Sequence, residues 1–216
     1  MAKSKITKVP ANNRQSAFIA RQKESLLKGG IEVIIAYGLD ASIEQIVQIN
    51  QVSATTIYKY FENRETYLRE SALSVWLPME ERAVEFASQA GDPLITFILP
   101  MRILLRVKTT EPKMAQILSN ADLNYRKIFD LTHTSALEFF RSMAREGIVP
   151  DDRVDFRFML WSGSMFPLVA SAAGGLPVEE AEKGLELVLP LLGLTKAQIK
   201  KVMNYPIPEI PAIPAQ

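Results

Sequence analysis

The sequence has no cysteine, a single histidine (His133) and no long uncharged apolar run. Lack of cysteine excludes disulfides, thiolate-held zinc, iron–sulfur clusters and thiol nucleophiles, and suits a reducing compartment. One histidine leaves any metal site to carboxylates, and no metal or other cofactor is expected. A membrane-spanning helix needs about 18 consecutive apolar residues, and no such stretch is present. The opening MAKSKITKVPANNRQ is basic, but no apolar signal-peptide segment follows it. The expectation is a cytoplasmic protein without a membrane partner.

What is there is ordinary in bulk and uneven in detail. The chain has 216 residues, 48% hydrophobic and 23% charged. That suits one large globular domain or two small ones, with enough chain to bury a core. The net charge of +1 hides an asymmetry. Residues 1–64 carry nine Lys/Arg against five Asp/Glu, and residues 65–216 carry sixteen against nineteen. The basic excess at the N-terminal end points to a polyanion partner there.

Helical periodicity runs through the chain. Leu27, Ile31, Ile34 and Ile35 share one face of a helix beginning near Phe18 to Arg21 and stopping at Gly38. Ser42 followed by Gln45 is a capping-box pattern, and Ile43, Ile46 and Val47 supply an apolar stripe to about Asn50. Ser53 is the next N-cap candidate, so QVSATTIYKYF (Gln51 to Phe61) reads as a turn and a short helix. A further helix starts at Asn63-Arg64-Glu65 and runs to about Trp76, with Pro78 as its stop. Later helices are expected at 79–90, 93–108, 112–119, 122–147, 152–173, 178–192 and 196–203. The proline-rich tail YPIPEIPAIPAQ cannot be helical. The expected organisation is a basic flexible arm at 1–17, a first domain at 18–64 with a linking helix at 65–76, a helical body at 77–205 and a tail at 206–216.

Two short helices about three residues apart have helix-turn-helix spacing. At helical spacing Ile57 and Phe61 turn inward together. Thr55 and Lys59 share another face, with Thr56 and Tyr60 beside them. Hydroxyl groups can bond phosphate oxygens and Lys59 can neutralise a phosphate, as a DNA-reading helix requires.

The run SIEQIVQINQVSATTIYKYFENRETYL resembles the DNA-binding domain of tetracycline-repressor-type (TetR family) transcription regulators. The resemblance is carried by Ser42, Gln51-Val52-Ser53, Thr56-Ile57-Tyr58, Phe61, Asn63-Arg64-Glu65 and the upstream Tyr37-Gly38. It covers about residues 18–76. It implies an all-α fold: an N-terminal three-helix helix-turn-helix domain joined to a larger helical ligand-binding and dimerisation domain. It further implies that Ser42, Thr56, Tyr60 and Arg64 meet phosphates. Ala54, Thr55, Tyr58 and Lys59 would face base edges or adjoining backbone, with Ser53 capping the same helix. Lys3, Lys5, Lys8 and Arg14 would lie along the DNA. Two positions depart from the family pattern: Gln51 replaces the turn glycine and Val47 the usual small residue. A positive φ in that turn then falls to Asn50, or the turn is strained.

The body shows no nucleophile–base pair, so no enzyme is expected. Asp151-Asp152 reads as a helix cap, and Glu179, Glu180 and Glu182 as dipole-favouring acids in a first turn. Methionines and aromatics suit an adaptable apolar pocket. The candidate effector-binding residues are Arg102, Met114, Asp122, Tyr125, Phe129, His133, Phe158, Trp161 and Met165. Helices 152–173 and 178–192, with Phe158, Trp161, Gly163, Met165, Ala181, Leu185, Val188, Leu189 and Leu192, read as a homodimer surface. The resulting expectation is a homodimeric regulator, with repression the expected sense, that binds a palindromic double-stranded operator and is released by a small apolar effector. The alternative is a helical sensor or carrier of small apolar ligands that has lost sequence-specific DNA binding.

Overall fold

The computed structural model describes residues 11–119 and 124–207, with side chains described over 15–119 and 134–207. The described chain is helical and divides into two compact units, Met1–Ser71 and Ala72–Gln216. The division falls inside the segment that the sequence reads as a linking helix at 65–76.

The first unit holds α1 (Ala11–Tyr37), α2 (Ile43–Asn50), α3 (Ala54–Tyr58) and the opening of α4 (Arg64–Ser88). Helix α1 begins at Ala11, so residues 11–17, expected within a flexible arm, are helical. No glycine or proline interrupts that stretch, so nothing in its propensity opposes a helix. Lys3, Lys5 and Lys8, and the side chain of Arg14, lie outside the described residues. Leu26, Ile31, Val33 and Ile34 are buried and meet Ile46, Ile57, Phe61, Tyr67 and Leu68 in the unit's core. Helices α1 and α4 approach closely where Gly30 sits: a Cβ there would stand 2.0 Å from Ser71 Oγ. The neighbouring Gly29 makes room for Asn50, whose Oδ1 would lie 2.0 Å from a Cβ. Into this corner comes the Tyr67 hydroxyl, 2.8 Å from the Leu26 carbonyl oxygen and 3.1 Å from Asn50 Oδ1, both acceptors for its proton. Burial pushes the Tyr67 hydroxyl pKa up to about 12.

The second unit holds the rest of α4, then α5 (Pro93–Leu104), α6 (Val107–Thr110), α7 (Pro112–Ser119) and α8 (Asn124–Arg145). After these come α9 (Val154–Gly174), α10 (Val178–Val188), a 3-10 turn at Leu189–Leu192 and α11 (Lys196–Met203). Helix α9 is the hub, packed by α7, α8, α10 and the 3-10 turn. Three expectations are corrected here. Pro78 does not stop a helix: α4 runs through it, with Trp76, Met79, Ala83 and Ala87 buried in an unbroken helical stripe. Pro78 removes one backbone donor and its ring crowds the carbonyl one turn back, and burial of that stripe outweighs the cost. The helix expected at 93–108 breaks after Leu104, because Arg106 leaves helical geometry and its Nη1 reaches Glu182 Oε1 at 2.5 Å. Asp152 does not cap α9 through its side chain; its carboxylate receives Arg157 Nη2 at 2.9 Å, and Arg153 holds the cap position at φ 54°.

Candidate DNA-facing motif and apolar cavity

The helix-turn-helix is assembled by local caps. Ser42 Oγ accepts from Gln45 N while Gln45 Oε1 accepts from Ser42 N at 2.7 Å, the reciprocal pattern expected from sequence. Ser53 Oγ accepts from Thr56 N at 3.2 Å and starts α3. Asn63 Oδ1 accepts from Thr66 N at 2.8 Å and starts α4. The turn's left-handed residue is Gln51 itself, at φ 53° and ψ 36°, not Asn50. Asn50 is unavailable for that role, because its amide Nδ2 donates back to the Ile46 carbonyl at 2.9 Å and keeps it in α2. Gln51 therefore bears the backbone cost, about 1 kcal/mol relative to glycine.

Helix α3 is only five residues long. Ile57 and Phe61 are buried beneath it, and Phe61 packs edge-on against Tyr67 with ring centroids 5.0 Å apart. Thr55, Tyr58 and Lys59 are exposed; Ala54, Thr56 and Tyr60 are half-buried. The ammonium of Lys59 lies 5.7 Å from the Tyr60 ring centroid, within cation–π range. A shallow hollow beside this helix is lined by Ser42, Tyr58, Asn63 and Arg64, among others. Arg64 is largely occupied: its Nη1 donates to the Ala41 carbonyl at 3.1 Å and its Nη2 to Glu65 Oε1 at 2.7 Å. It ties the start of α4 to the loop before α2, a structural job the sequence alone did not disclose.

The described residues of the second unit form a partly open apolar cavity of about 330 Å³. Helix α4 contributes Trp76, Met79, Glu80, Ala83 and Val84. Helix α5 adds Thr96, Phe97, Pro100, Met101, Ile103 and Leu104; α8 adds Ser135, Ala136 and Phe139, and α9 adds Trp161. Phe97 stands at the centre of an aromatic cluster, 5.3 Å from Trp161 and 5.4 Å from Phe140, centroid to centroid. Glu80 is the one charged residue among the described lining residues. Burial raises its pKa, opposed by a hydrogen bond that Trp76 Nε1 donates to Glu80 Oε2 at 3.1 Å, while nearby Glu81 raises it further.

Of the nine effector-binding candidates, Trp161 lines this cavity. Asp122 and the side chains of Tyr125, Phe129 and His133 lie outside the described residues. Met114, Phe158 and Met165 are packed core and do not line it. Arg102 is a correction of another kind. It is buried, its Nε donates to Glu182 Oε2 at 2.9 Å, and its Nη1 donates to the carbonyls of Val202 (2.9 Å) and Tyr205 (2.7 Å). It closes the C-terminal end of α11 and does not face a ligand. Glu182, read as a dipole-favouring acid, is the shared counter-ion of Arg102 and Arg106. Met79, Glu80, Ala83 and Val84 fall within the helix expected at 79–90, but the sequence reading assigned them no part in a ligand site. The continuing period of Trp76, Met79, Ala83 and Ala87 was the signal that could have found them.

The expected dimer residues Phe158, Trp161, Met165, Ala181, Leu185, Leu189 and Leu192 are buried within the subunit, and Val188 is half-buried. The exposed apolar stripe of α9 is its opposite face: Phe156, Met159, Leu160 and Gly163, with Leu187 exposed on α10.

Capped helix-turn-helix and cavity-bearing helical body together define a fold, that of the TetR-type transcription regulators. RolR in complex with its ligand resorcinol shares it at a TM-score of 0.67 and 16% identity, over 90% of this chain and 99% of that one. The fatty acid degradation regulator FadR from Bacillus halodurans matches at 0.59 and 14% identity, over 80% and 99%. A TetR-family regulator from Haemophilus influenzae Rd matches at 0.54 and 17% identity, over 78% and 94%. No family model matches the chain, and no curated protein does. No described helix is long and apolar enough to cross a membrane.

Proposed function

We propose that the chain is a homodimeric transcription regulator, acting as a repressor, that binds a palindromic operator and is released by a small apolar effector. The observation that carries this reading is the pairing of two sites in one chain. Buried Ile57 and Phe61 anchor a short helix whose Thr55, Tyr58 and Lys59 stand exposed, and a separate unit holds a partly open apolar cavity. Thr55 and Ala54 would meet base edges, including thymine methyls, while Ser42, Thr56, Tyr60 and Lys59 would meet backbone. The exposed stripe of Phe156, Met159, Leu160 and Gly163 on α9 would pair with its copy across a two-fold axis. Recognition helices set about 34–36 Å apart would then read two half-sites one DNA turn apart. An effector that prefers the non-binding state tenfold shifts the equilibrium by about 1.4 kcal/mol, and full release requires more.

Electrophoretic mobility of promoter duplexes at several salt concentrations tests the reading. The expected result is a duplex bound more tightly than random DNA, and uniform weak binding to every duplex would sink it. Lys59→Ala should reduce the salt slope by about one, and Tyr60→Phe should weaken all sequences alike, whereas Thr55→Val should change base preference. Gly163→Leu tests the dimer. A Cβ at Gly163 meets nothing within 4 Å in the subunit, so the fold should hold while sedimentation shows monomers. The departure from the family pattern that would support the carrier alternative is Gln51. That residue adopts the left-handed turn conformation, and this favours the regulator reading.

A further inference from the structure

The cavity's walls are aromatic and aliphatic, and one carboxylate stands in them. Glu80 is half-buried on α4. Among the described residues Trp76 is its hydrogen-bond donor, with Nε1 3.1 Å from Oε2, and no Lys or Arg pairs with it. The neighbouring cation on the same helix is committed elsewhere: Arg82 Nη2 donates to Glu111 Oε1 at 2.6 Å. Glu81, next along the chain, adds negative charge. A carboxylate in an apolar wall without a counter-ion lacks the solvation that water would give it. A cation placed beside it therefore gains more than it would in open solvent.

Helix α5 supplies an acceptor of the same sense. Pro100 has no N–H, so the Thr96 carbonyl one turn back loses its helical donor, and both residues line the cavity. The Thr96 hydroxyl is committed as a donor to backbone carbonyls, Asp92 at 2.9 Å and Ala87 at 3.1 Å. The rings of Trp76, Phe97, Phe139 and Trp161 complete the wall, and aromatic rings attract a cation to their faces.

These features sort three ligand chemistries carried on the same flat ring. A carboxylate meets Glu80 as a like charge. A neutral hydroxyl can donate to Glu80 but leaves its charge uncompensated. An ammonium donates and neutralises in one contact, which is the stronger kind of hydrogen bond.

We propose that the cavity takes a monocationic aromatic amine, its ammonium paired with the Glu80 carboxylate and its ring held among Trp76, Phe97, Phe139 and Trp161. This rests on reading the cavity as the effector site, and it refines the apolar effector to an apolar body with one charged end. Calorimetric titration of the full chain with 2-naphthylmethylammonium, 2-naphthylmethanol and 2-naphthoate tests it. The ammonium should bind about tenfold more tightly than the alcohol, and the carboxylate more weakly than both. Glu80→Gln keeps the shape and removes the charge; it should cost the ammonium about tenfold and leave the alcohol within about threefold. Glu81→Gln removes an exposed charge one residue away and should change ammonium binding by less than about twofold. The proposal is overturned if the alcohol equals the ammonium, if the carboxylate binds most tightly or if none of the three binds. It is also overturned if folded Glu80→Gln keeps the full preference, or if Glu81→Gln costs as much as Glu80→Gln. The titration needs no DNA. An ammonium preference in a protein that binds no operator would remove the regulator reading and leave this one standing, and operator binding without the preference would do the reverse.

Discussion

The two units bury polarity in different ways. In the first unit the interior polar node is neutral: the Tyr67 hydroxyl between the Leu26 carbonyl and Asn50 Oδ1. In the second it is ionic: Arg102 and Arg106 on one carboxylate, Glu182. A neutral node depends on geometry, and its members can each find another partner cheaply. An ionic node fails as a whole when one charge goes, because the remaining charge stays desolvated. The DNA-facing unit is therefore expected to tolerate single changes at its node better than the body does.

The largest predicted effect probes the ionic node. Glu182→Ala should destabilise the body by about 3–5 kcal/mol in urea unfolding, since Arg102 is left buried without its counter-ion. A loss of less than about 1 kcal/mol would mean that the carbonyls of Val202 and Tyr205 suffice for Arg102. Next, Tyr67→Phe should cost the first unit about 1–2 kcal/mol. The hydroxyl also carries a pH signature. Its folded pKa of about 12 lies above the unbound tyrosine value of 10.0, so the stabilisation is complete below pH 10.0 and fades as pH rises toward 12. Tyr67→Phe should flatten the part of the alkaline unfolding profile that belongs to this group. The smallest effect is a gain: Gln51→Gly should stabilise the first unit by about 1 kcal/mol by relieving the left-handed turn. A loss there would show that the Gln51 side chain contributes more than its backbone costs.

The sequence made the helix-turn-helix legible because its signals are local. Ser42 with Gln45 and Ser53 before Thr56 each cap a helix within three residues, and the structure has both bonds; Asn63, where the next helix is expected to start, adds a third cap to Thr66. The turn was legible only in part. Nothing in the sequence said that Asn50 was committed to Ile46, and so it could not assign the left-handed residue to Gln51. The body was harder because its decisive contacts are distant. Arg102 looks like a ligand contact until Glu182 and the α11 carbonyls are brought to it across the fold. At Pro78 a breaker rule competed with a buried stripe, and tertiary burial prevailed. What the expected break hid is the continuity of α4, which brings Trp76, Met79, Glu80, Ala83 and Val84 to the cavity from one helix.

Gly29 and Gly30 also set which substitutions the chain tolerates. Any side chain at either position would overlap Asn50 or Ser71, so neither can drift without a compensating change across the corner. Gly174 meets nothing within 4 Å, so sterics leave it free to vary. In a saturation library of this chain, residues 29 and 30 should be nearly empty columns, and any survivors should pair with a smaller residue at 50 or 71.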